Sequence, residues 1–454
     1  MQVINPATEE EIAELTVDTA ESVHLKLARL RNGQQKWSSR SIAERLEIIV
    51  GFGELVKQHK EELAQVLTKE TGKPITQSRG EVTGSLNRIE HLKTHADKWL
   101  QPELMAEGAV KESIVYEPLG VIANIGAWNF PYNTGYNVFL YALVAGNSVL
   151  YKPSEYASLT GLKFKELLHK AGVPEDVFET AIGPGQVGQY LLEADLDGYF
   201  FTGSYKTGVH IARSIAHKLV PVQLELGGKD PLYVMDDVAD VNQAAINAAD
   251  GAFYNNGQSC CAVERIYVQE SIYDDFVRHF VDEVKNYIPG DPTNDATYTG
   301  PLTRSQQLQV ILEQIKDATA KGAEVLIGGN QPDRKGYYLN PTVLVDVNHT
   351  MELMKEESFG PVIGIQKVAS DEEALRLMQD TPYGLTAAVF SSDEQRARKI
   401  LDQMNVGTVY WNCCDRVSPN TTWSGRKNSG LGSTLSYQGI RTFTQPKSYQ
   451  MKGK

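Results

Sequence analysis

The spacing of apolar residues divides the chain into a helical N-terminal part and a longer part in which strands and helices alternate. Apolar residues recur at helical spacing over residues 22–30 and 42–67, with charged residues between them. This pattern predicts amphipathic helices over a core across the first hundred residues. Residues 112–116 alternate instead and are bounded by Pro118 and Gly120. They predict a strand that projects from the helical layer, with an edge that could pair with another subunit.

Beyond residue 120, predicted strands and helices follow one another in two series. The first series has predicted strands at 121–125, 148–151 and 177–182 and predicted helices at 135–145, 159–171 and 186–194. The second series, which continues to about residue 407, has predicted strands at 232–235 and 265–269 and predicted helices at 241–251 and 272–287. This alternation predicts right-handed βαβ units and parallel sheets. We expect two α/β domains joined near Gly227 and Gly228, with a ligand site in the cleft between them.

Length and charge narrow the class of protein. A chain of 454 residues can form two or three globular domains without disulfides. Its 44 basic and 57 acidic residues give a net charge of −13, and no basic run suits nucleic acid. The N-terminus lacks the pattern of a signal peptide, and no segment approaches the roughly 20 apolar residues of a membrane span. We therefore expect a cytoplasmic protein that binds neither nucleic acid nor membrane.

The cysteines exclude two further classes. All four occur as adjacent pairs, Cys260-Cys261 and Cys413-Cys414. They are too few for a disulfide scaffold and lack the C-x-x-C spacing of zinc sites. We expect no metal site.

Two segments could bind a dinucleotide. Residues 183–188 fit the pattern G-x-G-x-x-G between a predicted strand and a predicted helix, where backbone N–H groups can bind a pyrophosphate. An ordinary strand-to-helix turn fits them about equally well. The acidic residue usually found about 20 positions later is absent, but Lys152 and Glu155 could bind ribose hydroxyls. Taken alone, these two charges fit a solvated loop pair better.

Three further positions could carry chemistry. Cys260 follows a small, polar run where a nucleophilic thiolate could face a cleft, whereas Cys261 leads into a predicted strand and fits a buried cysteine. Glu225 lies among apolar neighbours at the domain junction and could be a general base with a raised pKa, although taken alone it fits a structural carboxylate paired with Lys229 better. Asn129 follows a predicted strand, where its amide could stabilise an oxyanion or cap the next helix.

In their order and spacing, these motifs resemble those of the NAD(P)-dependent aldehyde dehydrogenase superfamily from residue 4 to residue 448. The resemblance rests on Trp128-Asn129-Phe130-Pro131, Lys152-Pro153-Ser154-Glu155, Phe201-Thr202-Gly203-Ser204, Glu225-Leu226-Gly227-Gly228-Lys229, Gly257-Gln258-Ser259-Cys260 and Glu356-Glu357-Ser358-Phe359-Gly360-Pro361-Val362. It implies an α/β, aldehyde dehydrogenase-like fold with two Rossmann-like α/β domains. The NAD-binding domain would comprise residues 1–100 and 120–226, the catalytic domain residues 227–425, and a small β oligomerisation element residues 101–119 and 426–454.

The resemblance also implies a role for each matching residue. Cys260 would be the nucleophile, Glu225 the base that activates the hydrolytic water, and Asn129 the oxyanion donor together with the backbone N–H of Cys260. The residues that would bind the cofactor are Trp128, Lys152, Glu155, Gly185, Ser204, Leu226, Glu357 and Phe359. A carboxylate at 155 suits the 2′-hydroxyl of NAD and repels the 2′-phosphate of NADP, by up to about 4 kcal/mol at 4 Å and an effective dielectric of 20. We favour NAD, with NADP as the alternative.

By the same resemblance, the substrate pocket has mixed polarity. Its lining would comprise Phe130, Asn133, Asn137, Asp415, Arg416 and Trp423. Because position 137 is not an arginine, a semialdehyde with a distal carboxylate is disfavoured, although Arg416 could replace that arginine. The family commonly has P-F-G-G-x-K-x-S-G-x-G-R-E near the C-terminus, whereas residues 422–434 have Ser424 at the first glycine and lack the Arg-Glu pair. This departure puts the pocket shape and the subunit packing in question.

These observations predict an enzyme that oxidises an aldehyde to its carboxylate with NAD as the hydride acceptor, as a homodimer or homotetramer. Within this class, the alternatives are an NADP-preferring and a semialdehyde-specific enzyme. Outside it, an inactive structural homologue is disfavoured by the presence of Cys260, Glu225 and Asn129. A cysteine hydrolase of the Cys-His type is also possible in principle, but none of the nine histidines lies in a recognisable motif.

Overall fold

The structure, a computed structural model, describes residues 1–453 as a mixed α/β chain. Its α-helices are α1 (Ala20–Ser38), α2 (Ile42–Gln58), α3 (Lys60–Thr71), α4 (Ile75–Gly84), α5 (Asn87–Leu100), α6 (Pro131–Val144), α7 (Ser158–Ala171), α8 (Gly185–Glu193), α9 (Tyr205–Ile215), α10 (Val241–Phe253), α11 (Tyr273–Val284), α12 (Ser305–Ala320), α13 (Asp371–Gln379), α14 (Glu394–Leu401) and α15 (Ser436–Arg441). Its strands are β1 (Gln2–Ile4), β2 (Glu11–Glu14), β3 (Glu103–Glu107), β4 (Val110–Pro118), β5 (Val121–Ile125), β6 (Ser148–Lys152), β7 (Phe178–Thr180), β8 (Gly198–Thr202), β9 (Val222–Glu225), β10 (Pro231–Val234), β11 (Arg265–Gln269), β12 (Glu324–Ile327), β13 (Thr342–Val345), β14 (Val362–Val368), β15 (Thr386–Phe390), β16 (Thr408–Trp411), β17 (Gly430–Leu431) and β18 (Thr444–Lys452).

The first two helices begin where the local sequence specifies it. Thr19 and Ser41 precede α1 and α2, and each forms a capping box with the residue three positions later. The helical pattern of residues 42–67 is divided between α2 and α3, because the backbone leaves helical geometry at His59 (φ −98°, ψ 13°). Apolar periodicity alone does not mark such a break.

Within residues 1–453, the first α/β unit contains a six-stranded sheet in the order β17-β9-β8-β5-β6-β7. Strands β5 to β9 pair in parallel, and the short β17 joins the edge strand β9 antiparallel. The strand order reverses at β5, because β6 and β7 extend the sheet on one side and β8 and β9 on the other. In sheets of this kind the crevice at the carboxyl ends of the strands beside the reversal binds ligands. The topology therefore places a candidate site after β5 and β8.

The second α/β unit is built on a seven-stranded sheet in the described part of the chain, in the order β12-β13-β14-β11-β10-β15-β16. All pairs are parallel except that of the edge strand β12 with β13. Residues 226–230 connect β9 of the first sheet to β10 of the second. The two sheets are thus joined at the segment that contains Gly227 and Gly228.

A small antiparallel sheet in the order β18-β4-β3 forms no strand pair with either large sheet in the described residues. The predicted strand at 112–116 is part of β4. In the C-terminal segment, only β18 joins this sheet, whereas β17 pairs with β9 and α15 packs against α5. Residues 430–441, which the resemblance assigns to the small β element, therefore lie against the first α/β unit, because the chain returns to the edge of that sheet before it reaches β4.

Helix α6 follows β5 and carries two asparagines toward the candidate site. It is buried along most of its length because it packs against β5 and β6 and against α2 and α5. Tyr132 and Phe139 of α6 contact Phe164 of α7, with ring centroids 4.8 and 5.6 Å apart. Since these contacts fix the rotation of α6, Asn133 and Asn137, one helical turn apart, face the same direction.

Two helix glycines provide a matched test of this packing. A Cβ at Gly33 in α1 would lie 1.9 Å from the carbonyl oxygen of Asp176, whereas a Cβ at Gly51 in α2 would meet no atom within 4 Å. We expect Gly33→Ala to lower the free energy of unfolding by about 1–3 kcal/mol through overpacking. We expect Gly51→Ala to raise it by about 0.4–1 kcal/mol by restricting the unfolded chain. Denaturant unfolding measures both, and equal effects would contradict the described contact between α1 and residue 176.

Candidate active site

The candidate site begins where β5 and β8 end. Because these strands are parallel neighbours, Trp128 and Asn129, which follow β5, lie at the same edge of the sheet as Ser204, which follows β8. Ser204 caps α9, and its hydroxyl accepts a hydrogen bond from the backbone N–H of Thr207 at 3.4 Å. The first turn of α9 therefore presents backbone N–H groups at the crevice, an arrangement that suits a phosphate.

A cavity of about 720 Å³ extends from this crevice between the two α/β units. Residues from both units line it. With one exception, every residue that the sequence predicts for the site lines this cavity: Trp128, Asn129, Phe130, Asn133, Asn137, Lys152, Glu155, Gly185, Ser204, Glu225, Leu226, Cys260, Glu357, Phe359, Asp415 and Trp423.

The exception is Arg416, which the sequence places in the substrate pocket. It lines a neighbouring surface depression that shares Asp415 with the cavity, and its side chain is exposed. The physical reason is the left-handed backbone of Asp415 (φ 47°), which turns the chain so that position 415 faces the cavity and position 416 does not. The backbone carbonyl of Arg416 accepts a hydrogen bond from the hydroxyl of Tyr410, which holds this turn.

The loop that carries Cys260 has an unusual backbone. Asn255, Asn256 and Gly257 are three consecutive residues with positive φ, at 54°, 57° and 66°. Asparagine adopts this conformation more readily than other residues that have a Cβ, and glycine adopts it freely. A Cβ at position 257 would also lie 2.3 Å from the carbonyl oxygen of Gly360. The run Asn-Asn-Gly therefore specifies the turn that precedes the cysteine.

Side-chain amides tie this loop to both α/β units. Asn129 Nδ2 donates to the carbonyl oxygen of Gln258 at 3.0 Å, and Asn255 Nδ2 donates to the carbonyl oxygen of Asn129 at 3.2 Å. Asn256 Nδ2 donates to the carbonyl oxygens of Gly300 and Pro301, each at 2.8 Å. These bonds attach the segment that leads to the half-buried Cys260 to Asn129, and both residues line the cavity.

Glu225 ends β9 and presents a buried carboxyl group to the cavity. Its Oε1 accepts a hydrogen bond from Gln223 Nε2 at 2.7 Å, whereas Oε2 has no partner among the described residues. Burial raises the pKa of Glu225 well above its ordinary value, and the Gln223 hydrogen bond offsets only part of this effect. Lys229, the alternative partner in the sequence, instead donates to Glu264 at 2.6 Å. Glu225 is therefore not held in a structural ion pair.

Cys261 differs from its neighbour. It is buried, with 4% of its surface exposed, and its Sγ donates to Asp415 Oδ1 at 3.0 Å. Hydrogen bonding with Cys260, burial and the Asp415 carboxylate all raise the pKa of the Cys261 thiol well above its ordinary value. Cys261 is thus held as a neutral thiol, in agreement with its interpretation as a buried cysteine.

The opposite half of the cavity has room and partners for a dinucleotide. Gly185 begins α8, and a Cβ there would meet no atom within 4 Å, which leaves this helix N-terminus open. Lys152 is buried, with its Nζ 3.2 Å from the carbonyl oxygen of Pro153, and Glu155 is half-buried beside it. Two helix N-termini with a lysine and a carboxylate at the strand end fit a pyrophosphate and a ribose.

Glu357 approaches the domain junction from the second unit. Its Oε1 accepts a hydrogen bond from the backbone N–H of Gly228 at 3.0 Å, and a Cβ at Gly227 would lie 2.3 Å from the same oxygen. Glycine at position 227 is therefore needed for this approach. Burial raises the pKa of Glu357 to about 8, and the negative charge of Glu264 adds to the effect.

Three charged side chains of the cavity lining were not predicted from the sequence. Arg88 and Glu81 reach the cavity from the N-terminal helices, and Arg304 lies over the ring of Trp128, 5.9 Å from its centroid. No motif surrounds Arg88 or Glu81. The one signal in the sequence is a set of small and polar residues, Gly80, Glu81, Gly84, Asn87 and Arg88, in a region otherwise rich in buried apolar positions.

Comparison with known proteins identifies the family of the chain. The sequence model of the Aldehyde dehydrogenase family matches residues 1–449. The chain is 35% identical to the chloroplastic betaine aldehyde dehydrogenase of Amaranthus hypochondriacus, over 97% of this chain and 90% of that protein. It is 32% identical to the succinate-semialdehyde dehydrogenase [NADP(+)] of Deinococcus radiodurans, over 98% of this chain and 93% of that protein.

A solved structure gives the same result. The betaine aldehyde dehydrogenase of Staphylococcus aureus, in complex with NAD+, superposes with a TM-score of 0.96 at 31% identity, covering 100% of this chain and 92% of that chain. The chain belongs to the aldehyde dehydrogenase family, whose members are oxidoreductases. The predicted family, fold and enzyme class are thereby confirmed. None of the helices in residues 1–453 combines the length and apolar character that a bilayer crossing requires.

The buried carboxyl group of Glu225 predicts a pH dependence of stability. In the unfolded chain its pKa is near 4.3 and in the folded protein it is higher, so folding stability falls as the pH rises from the unfolded toward the folded pKa. Glu225→Gln removes this loss. We expect the melting temperature of the variant, relative to that of the wild type, to increase as the pH rises above about 4.3.

Thermal unfolding as a function of pH measures this difference. Glu47→Gln, on the exposed face of α2, is the matched control, because it removes a carboxylate that is not buried. A constant difference between Glu225→Gln and the wild type across this pH range would show that the carboxyl group is not desolvated.

Proposed function

We propose that this chain is an NAD-preferring aldehyde dehydrogenase that oxidises an aldehyde to its carboxylate through a covalent intermediate on Cys260. The observation that supports this proposal is the set of side chains that line the cavity. A half-buried cysteine, an asparagine amide and a buried, partly unpaired carboxyl group line the same cavity. A nucleophile, an oxyanion donor and a base are the groups that aldehyde oxidation through a thioester needs.

The first step is addition of the Cys260 thiolate to the aldehyde. Sγ forms a bond to the carbonyl carbon, and the electron pair of the C=O π bond moves to oxygen, which gives a thiohemiacetal alkoxide. Asn129 has two N–H groups on Nδ2, of which one donates to Gln258. The second is available for the alkoxide, together with the backbone N–H of Cys260. The Gln258 bond thus orients the amide before the charge develops.

The second step converts the alkoxide into a thioester. The C=O bond reforms, the C–H bond breaks, and hydride leaves with its electron pair, which an oxidised nicotinamide cofactor accepts when bound. Cys260 then holds an acyl group and the substrate carbon has been oxidised. Lys152, Glu155, Gly185, Ser204, Glu357 and the rings of Trp128 and Phe359 would hold that cofactor.

The third step releases the acid. Glu225 removes a proton from water, the water oxygen bonds to the thioester carbon, and the C–S bond breaks to return the Cys260 thiolate. The desolvated carboxyl group is suited to this because its raised pKa makes it a stronger base than an exposed glutamate. Protonation at low pH removes the base, so hydrolysis of the thioester should accelerate as the pH rises.

The choice of NAD over NADP follows from charge. Glu155 follows the buried Lys152 at the end of β6, where the ribose of the adenosine would lie. A carboxylate there accepts hydrogen bonds from ribose hydroxyls and repels a 2′-phosphate. One solved relative binds NAD+, and the name of another carries NADP(+), so the family context admits both cofactors.

The aldehyde is proposed only as a class. The relatives are named for betaine aldehyde and succinate semialdehyde, which carry a charged group away from the aldehyde carbon. The substrate half of this cavity likewise has amides and charged side chains among its lining residues, including Asn133, Asn137 and Asp415. We therefore propose an aldehyde with a polar or charged distal group.

Three variants separate the proposed roles. Cys260→Ala should abolish aldehyde-dependent NADH formation, because no covalent intermediate forms. Asn129→Ala should lower kcat by about 10²- to 10³-fold through loss of an oxyanion donor. Glu225→Gln should retain a burst of about one NADH per active site and lose at least about 100-fold in steady-state turnover, because only deacylation needs the base.

Rapid-quench or stopped-flow measurement of NADH distinguishes these outcomes. Gly51→Ala, remote from the cavity, should keep wild-type kinetics. Loss of the burst in Glu225→Gln would contradict its role in hydrolysis alone. Cofactor-independent hydrolysis of esters without any aldehyde oxidation would favour the alternative of a cysteine hydrolase.

The small sheet supports a proposal on assembly. Strand β18 pairs with β4 on one side, its other edge is unpaired in residues 1–453, and exposed apolar side chains such as Met451 lie along it. Such an edge suits pairing with another sheet, and we propose a homodimer or homotetramer. Removal of residues 444–454 should reduce the mass measured by light scattering to that of a monomer. A monomeric wild-type protein would contradict this.

A cytoplasmic location remains a prediction.

A further inference from the structure

A buried arginine lies in the substrate half of the cavity. Arg88, in the first turn of α5, is 3% exposed and lines the cavity. Its Nε donates to Asn137 Oδ1 at 2.8 Å, and its Nη1 donates to Asn87 Oδ1 at 2.9 Å. Both acceptors are neutral amides, which orient the guanidinium without neutralising its charge.

Arg88 has no acidic partner within residues 1–453, and its Nη2 donates no hydrogen bond to any described residue. Burial lowers the pKa of Arg88 to about 10, so the side chain still carries its charge at neutral pH. A buried cation without a counter-charge is costly, and such groups are normally paired or bind an anion. The arrangement therefore leaves a place for an anionic group from outside the chain.

The acidic side chains that line this half of the cavity are engaged elsewhere. Glu81 forms an ion pair with the buried Lys73 and also accepts the backbone N–H of Tyr132 at 2.9 Å. Asp415 accepts the hydroxyl of Ser259 at 2.7 Å and the thiol of Cys261 at 3.0 Å. The charge of Glu81 favours the charged form of Arg88, but neither carboxylate forms an ion pair or a hydrogen bond with it.

Helix α6 relates Arg88 to the reaction centre. Asn129 precedes this helix, and Asn133 and Asn137 lie one turn apart on it, about 6 Å along its axis. All three line the cavity, and Asn137 is bonded to Arg88. The row of amides thus leads from the cysteine end of the cavity to the guanidinium. An aldehyde held at Cys260 would need several carbons before its far end could contact Arg88.

We propose that Arg88 is a specificity-determining residue that binds the distal carboxylate of an ω-carboxy aldehyde. This inference rests on the proposed function, and it specifies that the distal group of the aldehyde substrate is negatively charged. Position 137 is an asparagine and not an arginine. The guanidinium of Arg88, which comes from α5, nevertheless reaches this part of the cavity and donates a hydrogen bond to the side chain of Asn137. A substrate carboxylate would complete the ion pair that Arg88 lacks.

A matched series of aldehydes tests this proposal. Butanal, 4-oxobutanoate and 4-aminobutanal share a four-carbon chain whose far end is neutral, negatively charged and positively charged, respectively. We expect the wild type to oxidise 4-oxobutanoate with a kcat/KM at least about tenfold above that of butanal, as expected for a buried group left unpaired by the neutral substrate. Arg88→Met should remove this preference through KM and leave butanal within about threefold of the wild type. Arg88→Lys should retain part of it.

Two further variants sharpen the test. Arg278→Met, on the exposed face of α11, is the control and should change neither substrate. Arg416→Met tests whether Arg416, which the sequence places in the substrate pocket, binds the distal carboxylate instead of Arg88. The proposal is overturned if Arg88→Met keeps the preference, if Arg416→Met removes it, or if the wild type prefers 4-aminobutanal. Turnover of butanal by Arg88→Met shows that the variant is folded.

A binding measurement separates this inference from the proposed function. Butanedioate, the expected product, should bind the wild type in calorimetry and bind Arg88→Met at least about tenfold more weakly. If no aldehyde is oxidised but this difference is found, the proposed function fails and the anion site stands. If butanedioate binds both proteins equally, the anion site fails whatever the activity.

Discussion

The left-handed turn at residues 255–257 is the constraint on which the rest of the site depends. Each non-glycine residue in this conformation costs on the order of 1–3 kcal/mol and persists only where the surroundings determine it. Here the side-chain amides of Asn255 and Asn256 stabilise the conformation, because they donate hydrogen bonds to the backbone carbonyl oxygens of Asn129, Gln258, Gly300 and Pro301. Because these partners come from separate parts of the chain, the position of Cys260 is fixed only when both α/β units are folded and in contact.

Two buried glutamates, Glu264 and Glu225, differ in how their charges are compensated. Glu264 is compensated by Lys229 and by the backbone N–H groups of Ser358 and Phe359, at 3.0 and 2.9 Å, and so acts as a structural anchor. Glu225 has one amide donor for two oxygens, and burial therefore raises its pKa well above the ordinary value. The number of hydrogen-bond donors around each carboxylate thus distinguishes the structural Glu264 from the candidate base Glu225.

The alternation of strands and helices was sufficient to predict parallel sheets, because parallel pairing with helical crossovers leaves a clear periodic pattern. The break at His59 could not be predicted in this way, since apolar spacing continues through it. The attachment of β17 to β9 was also not predictable. Two residues carry no periodicity, and their pairing depends on where the chain returns after some two hundred residues.

For the site, the sequence by itself determined the identity and order of the local motifs, including the Asn-Asn-Gly turn before Cys260 and the asparagine after β5, because each is specified by neighbouring residues. Only the tertiary structure decided that Arg416 faces outward while Arg88 enters the cavity, and that Lys229 pairs with Glu264 and not with Glu225. These outcomes depend on which distant side chains share a buried space. Burial and pairing are properties of that space, and no stretch of adjacent residues encodes them.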